Sequence, residues 1–161
     1  MKVRTSLLTL GVCLAAVMCF AANESMIGTW KLNEAKSKLA AGAPKNNTVT
    51  YEAAGDSMKV TIDGTAADGT PLHSERTGKF DGKDYPSTGN PYEDMRSSKQ
   101  IDDHTLHVTS KKDGKVVLTA HVVLAADGKS RTVTTNGTDA KGKKYKSVGV
   151  YDKRVAKVRA G

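Results

Sequence analysis

Cysteine is scarce in this sequence and is confined to its N-terminus. The 161 residues contain two cysteines, Cys13 and Cys19. The rest of the chain therefore offers no disulfide, no thiolate ligand for a metal and no cysteine nucleophile. A single domain of this length without cross-links depends on a hydrophobic core or on a closed sheet for its stability.

Aromatic residues and catalytic motifs are sparse as well. The chain has one Trp, five Tyr and two Phe, and no G-x-S-x-G elbow positions a serine for nucleophilic attack. His104 and His107 are three residues apart, so in a strand they face opposite sides and do not share a metal ion. We therefore expect no enzyme, no cofactor and no metal site, and a hydrolase without a recognisable motif is the alternative.

The N-terminal segment has the pattern of a secretory signal. Lys2 and Arg4 precede an uncharged, apolar stretch that ends in small residues. This order predicts a signal peptide over 1–21 and a secreted or periplasmic domain over 22–161, which would contact the membrane only through that signal. An uncleaved membrane anchor and a lipid-modified Cys19 are the two alternatives.

The mature chain carries a moderate positive charge. Removal of the signal leaves 23 basic and 17 acidic residues, a net charge of +6. The bases cluster towards the C-terminus, at Lys141, Lys143, Lys144, Lys146, Lys153, Arg154, Lys157 and Arg159. Two interpretations fit this cluster: a solvated hairpin followed by a flexible basic tail over 154–161, or a surface that binds a protein or an anionic partner. No nucleic acid is expected, because no aromatic platform interleaves these bases.

Turn signals divide the rest of the sequence into short segments. Asp-Gly pairs favour tight hairpins because both residues tolerate positive φ, and such pairs begin at Asp63, Asp68, Asp81, Asp113 and Asp127. The intervening runs are rich in Val, Ile, Thr and Tyr, which favour strands. The candidate strands are Met26–Leu32, Asn47–Ala53, Met58–Asp63, Leu72–Phe80, Met95–Ile101, Thr105–Lys111, Val116–Ala125, Arg131–Asn136 and Tyr145–Arg154.

This pattern predicts an all-β domain of about eight or nine antiparallel strands, since short turns cannot join parallel neighbours. An open meander of that size would expose two edges, and closure into an up-and-down barrel removes them. A β-sandwich is the alternative architecture. A short helical turn is expected near 33–39, and the domain is expected to be a monomer.

One motif near the start of the mature chain resembles a known family. Gly28-Thr29-Trp30 resembles the G-x-W signature of lipocalins and related calycins. The GTWKLN start, the YPxTGNP loop, the DG turns and the VxVYDK end are similar to those of small secreted bacterial lipocalin-like proteins. The resemblance implies that Trp30 closes one end of a barrel and packs against a basic side chain near the last strand, for which Arg154 is the candidate.

Four residues are candidates for ligand binding. Arg76 and Lys99 share strand parity with apolar neighbours, and cations that point into a barrel need an anion. Tyr85 and Tyr92 flank a proline-containing loop that is a candidate lid. The predicted function is thus binding of a small apolar or amphipathic ligand inside the barrel, and the two cations would suit an anionic one. A register change at Gly78 is the structural alternative for the two cations.

Overall fold

A computed structural model describes residues 24–139 and 141–154 of the chain. The signal peptide predicted over 1–21 lies outside the described residues. Most of the flexible tail predicted over 154–161 lies outside them too. No helix within the described ranges is both long enough and apolar enough to cross a bilayer.

Ten strands make up almost all of the regular structure. They are β1 (Gly28–Leu32), β2 (Lys45–Ala54), β3 (Ser57–Thr65), β4 (Pro71–Gly78), β5 (Asp81–Pro86), β6 (Met95–Gln100), β7 (Thr105–Lys112), β8 (Lys115–Leu124), β9 (Ser130–Thr138) and β10 (Lys144–Arg154). A single 3-10 turn, Glu34–Lys36, follows β1 within the range predicted to be helical.

The strands form one antiparallel sheet in the order β4-β3-β2-β1-β10-β9-β8-β7-β6-β5. Every ladder but one joins strands that are neighbours in sequence, and the exception pairs β1 with β10. The edge strands are β4 and β5, and one bridge joins β4 to the chain just after β5, in which the amides of Glu75 and Thr88 donate to each other's carbonyls at 3.1 and 3.0 Å. The predicted up-and-down barrel is therefore confirmed as a nearly closed barrel.

Tight turns account for most of the connections. Gly69, Gly114 and Gly128 each have positive φ, of 88°, 75° and 66°, as the Asp-Gly pairs predict for hairpins. Two other pairs do not form turns: Asp63-Gly64 lies within β3, and Asp81-Gly82 begins β5. The predicted number of eight or nine strands is therefore lower than the ten observed, because Asp81-Gly82 was interpreted as a turn and β5 was not predicted.

Alternation of side chains along the strands builds the core inside the barrel. On β3, Met58, Val60 and Ile62 are buried, and the side chains between them face outwards. We call the barrel end that holds Trp30 and the N-terminal turn the floor. The opposite end, which includes the β3–β4 turn and the 87–94 loop, is the mouth.

Trp30 is fully buried at the floor. Its indole Nε1 donates a hydrogen bond to the carbonyl oxygen of Met26 at 2.8 Å, which satisfies the polar atom of this large apolar ring. In the β1–β10 register Trp30 lies opposite Lys153, and in the β1–β2 register it lies opposite Val49. The tryptophan thus seals the end of the barrel at which the first and last strands pair.

Candidate functional site in the barrel interior

The barrel encloses a cavity of about 150 Å³. Leu39, Pro44 and Tyr92 border it at the mouth, and the side chains of the middle layers are mostly apolar. The apolar lining includes Val49, Ile62, Leu72, Val108, Leu118, Val122 and Val133. Three arginines, Arg76, Arg96 and Arg131, also line the cavity, although such a charged group is seldom found in a small protein core.

Aromatic rings surround Arg131, which projects inwards from β9. Its guanidinium carbon lies 4.8 Å from the ring centroid of Trp30, 5.0 Å from that of Tyr51 and 5.2 Å from that of Tyr151. Each of these contacts is a cation–π attraction, and together they fix the guanidinium above the floor. Only 2% of Arg131 is exposed.

The rings do not satisfy the hydrogen-bond donors of Arg131. Its Nε and Nη1 are buried and have no hydrogen-bond partner. Among the residues described, no carboxylate forms an ion pair with it. A buried donor without an acceptor costs free energy, so these two groups are unsatisfied in the protein on its own.

Arg96, by contrast, is neutralised within the protein. Its Nη2 lies 3.0 Å from Oε2 of Glu93, and its Nε donates to Oγ of Ser110 at 2.8 Å. The other carboxylate oxygen of Glu93 accepts a hydrogen bond from Oγ of Ser87 at 2.8 Å. Burial by itself would raise the pKa of Glu93, but Arg96 and the neighbouring hydroxyls lower it below its ordinary value. Glu93 is therefore ionised and bound to Arg96.

Arg76 has no such partner. It is 8% exposed, and it forms no ion pair with any carboxylate in the described ranges. Burial lowers the pKa of Arg76 to about 10, and the positive charge of Arg96 contributes to the decrease. The group therefore remains a cation at neutral pH, held in an environment that disfavours its charge.

The arginines also act on the tyrosines of the interior. Burial tends to raise the pKa of Tyr51, but the charges of Arg131 and Arg76 outweigh it and lower that pKa below its usual value. Burial raises the pKa of Tyr151 to about 12, and its hydroxyl donates to the carbonyl oxygen of Asn46 at 3.0 Å. The same arginine charges that lower the pKa of Tyr51 make the base of the cavity favourable for an anion.

Hydroxyl groups complete the polar layer. Ser74 and Ser98 are 3% exposed, and Oγ of Ser98 is buried without a hydrogen-bond partner. A void of about 10 Å³ is bordered by Ser98 together with Arg76 and Arg96. The interior therefore holds two sets of donors without partners, those of Arg131 at the cavity and the hydroxyl of Ser98 at the small void.

The four predicted ligand-binding residues lie in different parts of the structure, and not all of them face the cavity. Arg76 points into the barrel, but Lys99 is exposed on the outer face, so the expectation that it is a buried cation was wrong. The inward orientation of Lys99 was inferred from its alternation in phase with Ile101. Ile101 lies beyond the end of β6 and is 54% exposed, so it does not mark the inner face. The inward-facing cation of β6 is Arg96 instead.

The two tyrosines lie at different parts of the barrel. The ring of Tyr85 lies against Gly78, where an added Cβ would be 2.4 Å from Cγ of the tyrosine. It thus occupies the seam between β4 and β5, and its hydroxyl donates to Asp81 at 3.1 Å. Tyr92 is 37% exposed and borders the mouth of the cavity.

Trp30 lies at the floor as predicted, but the basic residue predicted to pack against it is corrected. Arg154 pairs with Thr29 in the ladder and is exposed, so it is not the base that packs on Trp30. Arg131 and Lys153 take that place, with Nζ of Lys153 lying 5.2 Å from the ring centroid. Gly28, with a φ of 119°, passes close to Lys153, because a Cβ there would lie 3.1 Å from its Cε.

Sequence reasoning did not find Arg131, Arg96 or Glu93. A signal was present for Arg131, because it alternates in phase with Val133 on β9. Within the ranges that the structure describes, no group of three or more His, Cys, Asp or Glu side chains is arranged to hold a metal ion.

Comparison with known proteins supports the fold and goes no further. No family model and no curated protein matches the chain. A fatty acid binding protein from Schistosoma mansoni, solved in complex with arachidonic acid, is similar over 83% of this chain and 99% of its own, with a TM-score of 0.54 and 19% identity. The fold is a calycin-like barrel.

A second solved structure has the same architecture. EF1p2_mFAP2b, bound to DFHBI, is similar over 83% of this chain and 98% of its own, with a TM-score of 0.51 and 11% identity. At such low identities these likenesses establish the arrangement of the strands. The chemistry of this chain must be argued from its own interior.

Proposed function

We propose that this protein is an exported binding protein that holds a small amphipathic anion inside its barrel. The observation that carries the proposal is the pair of interior guanidiniums, Arg76 and Arg131, which lack an anionic partner among the described residues. Cations buried without a counter-charge are costly, and an anionic ligand would supply that charge.

The cavity suggests how the ligand is oriented. Its head group would lie at the base, where the guanidiniums of Arg76 and Arg131 provide donors. Its apolar tail would extend towards the mouth between side chains such as Leu72 and Val122. Binding would thus combine desolvation of the tail with charge-assisted hydrogen bonds to the head.

Two further observations support this function. The similar solved structures hold small molecules, arachidonic acid in a fatty acid binding protein and DFHBI in EF1p2_mFAP2b. A volume of about 150 Å³ is of the size that holds a small aromatic ring or a short alkyl chain, so we propose a ligand smaller than arachidonic acid.

Calorimetric titration with octanoate, and with octanol as the uncharged control, tests the proposal. We expect octanoate to bind at least about tenfold more tightly than octanol, because only the carboxylate pairs with the guanidiniums. Equal affinity of the two, or no binding of either, would contradict the proposal. Native mass spectrometry of protein purified from its host identifies the natural ligand.

Export is part of the proposal and rests on the N-terminal pattern. Lys2 and Arg4 before an uncharged apolar stretch are typical of a secretory signal. N-terminal sequencing of the purified protein is expected to give a chain that begins at Ala22. A chain that retains its first residues would indicate an anchored protein instead.

A second candidate function is binding of an anionic surface through the β9–β10 hairpin. Lys141, Lys143, Lys144 and Lys146 are all exposed, and none forms an ion pair with a carboxylate within the described ranges. Salt distinguishes the two functions, because exposed charges are screened and a buried site is screened much less. Binding that weakens steeply with salt would favour the hairpin.

A further inference from the structure

We propose that the interior site selects a doubly charged head group, such as a phosphate monoester, over a singly charged one on the same tail. This inference deepens the proposed function and rests on it. The juxtaposition that carries it is one buried carboxylate, Glu93, among three buried arginines around a single cavity.

The count of interior charges sets the preferred charge of the ligand. Arg76, Arg96 and Arg131 contribute three positive charges, and Glu93 removes one by its ion pair with Arg96. Two positive charges therefore remain without a counter-charge among the described residues that line the cavity and are buried. A monoanion would neutralise one of them, whereas a dianion neutralises both.

The hydrogen-bond donors that lack an acceptor agree with this count of positive charges. Nε and Nη1 of Arg131 are buried without partners, and the guanidinium of Arg76, which also lines the cavity, adds further N–H donors. A phosphate monoester presents three strong acceptor oxygens, while a carboxylate presents two. The larger acceptor set satisfies more of these donors in one head group.

The charged groups that face the site remain in one state around neutral pH. On the strands they are Arg76 of β4, Arg96 of β6 and Arg131 of β9, and the loop before β6 adds Glu93, whose pKa is lowered. Tyrosines 51, 145 and 151 also line the cavity, as do Lys45 and Asp139 near the mouth. No histidine is among the described lining residues, so a change in affinity between weakly acidic and weakly basic pH reports the ionisation of the ligand.

The experiment compares octyl phosphate with octyl sulfate by calorimetric titration at two pH values. The second ionisation of a phosphate monoester falls near pH 6, so titrations at about pH 5 and about pH 7.5 change its charge, while the sulfate keeps one charge. We expect the phosphate to bind at least about tenfold more tightly than the sulfate at the higher pH, and the two to converge at the lower pH. Inorganic phosphate alone, which lacks the tail, should bind at least about tenfold more weakly than octyl phosphate.

The Arg76→Met variant should abolish this preference, because it leaves one uncompensated charge inside the barrel. Lys144→Met is the matched control, since it removes a positive charge with the same replacement at an exposed position of β10. The control should keep the preference of the unmodified protein. Circular dichroism and titration with octyl sulfate show whether each variant is folded and still binds.

The results that would contradict the inference differ from those that would contradict the proposed function. Equal or tighter binding of octyl sulfate at the higher pH would overturn the inference and leave the proposed anion-binding function intact. Inorganic phosphate that binds as tightly as octyl phosphate would overturn the amphipathic ligand of both proposals. Absence of binding by octyl phosphate, octyl sulfate and octanoate would overturn both proposals.

Discussion

Two buried arginines in this barrel differ in what neutralises them, and the same substitution should therefore have opposite effects. Arg76 has no ion partner in the described residues, so Arg76→Met removes an uncompensated buried charge and retains apolar volume. We expect the free energy of unfolding of the ligand-free protein to rise by about 1–3 kcal/mol. Denaturant titration measures the change.

Arg96→Met is the matched comparison. It breaks the 3.0 Å ion pair and leaves the carboxylate of Glu93 buried without its partner. We expect the free energy of unfolding to fall by about 3 kcal/mol. Two substitutions that destabilise the protein equally would contradict the absence of a compensating partner for Arg76.

Acidification should lower the free energy of unfolding, because it protonates Glu93. Its pKa is lowered in the folded state, so its contribution to stability is present above the ordinary glutamate pKa of 4.5 and is lost as the pH falls through the folded value. Glu93→Gln should therefore be less stable than the unmodified protein at neutral pH, and this difference should shrink on acidification. Urea titrations across acidic pH measure the difference.

Asp56→Asn provides the control for that experiment. Asp56 also has a lowered pKa, through a side-chain hydrogen bond from Lys79, but its ion pair is exposed. Its effect on the free energy of unfolding should be small at every pH, because water and salt screen such pairs. A pH-dependent loss in Asp56→Asn as large as that in Glu93→Gln would contradict the role given to burial.

At the residue scale, the sequence predicted the orientation of some interior side chains and not of others. Parity with apolar neighbours correctly placed Arg76 in the interior, but it failed for Lys99 because Ile101 is exposed. The partner of Trp30 depends on the strand register, which sets Lys153 opposite the ring and lets Arg131 reach it from β9. Local sequence does not contain that register.

At the scale of elements, the seam between β4 and β5 is the weakest join in the sheet. One bridge, Glu75–Thr88, replaces a ladder there, and the ring of Tyr85 packs on Gly78. Gly78→Ala would bring a Cβ within 2.4 Å of the ring, and we expect it to lower the free energy of unfolding by about 1–3 kcal/mol. Equilibrium unfolding in denaturant measures this loss.

A double-mutant cycle tests the cause. Tyr85→Ala removes the ring, so the alanine at position 78 should cost much less in the double variant than alone. Additive losses would indicate that Gly78 is required for its backbone and not for the packing of Tyr85. The same cycle therefore shows whether the tyrosine closes the seam.

β5 is the element that sequence reasoning missed. Its residues are nearly all exposed, so the alternation that identifies a half-buried strand is absent. A bulge between Asp81 and Asp84 places Gly82 at a φ of 82° inside the strand, where an Asp-Gly pair indicates a turn. The buried strands, such as β3, were found because their apolar residues alternate clearly.

At the scale of the whole molecule, closure of the barrel followed from the meander and its edges. Pairing of β1 with β10 completes the wall and places Trp30 at the floor, as the turn pattern and the G-x-W motif together predicted. The charge inside the closed barrel was only partly foreseen, through Arg76. Its balance depends on Glu93, Arg96 and Arg131, which come together only when the sheet closes.

A crystal structure of the protein with bound octanoate tests the central claim most directly. The account predicts a carboxylate at the base of the cavity, within hydrogen-bond distance of the free N–H groups of Arg131 or Arg76, and a tail directed towards Tyr92 at the mouth. Octanoate bound to the outer lysines of the β9–β10 hairpin, with no ligand in the barrel, would contradict it.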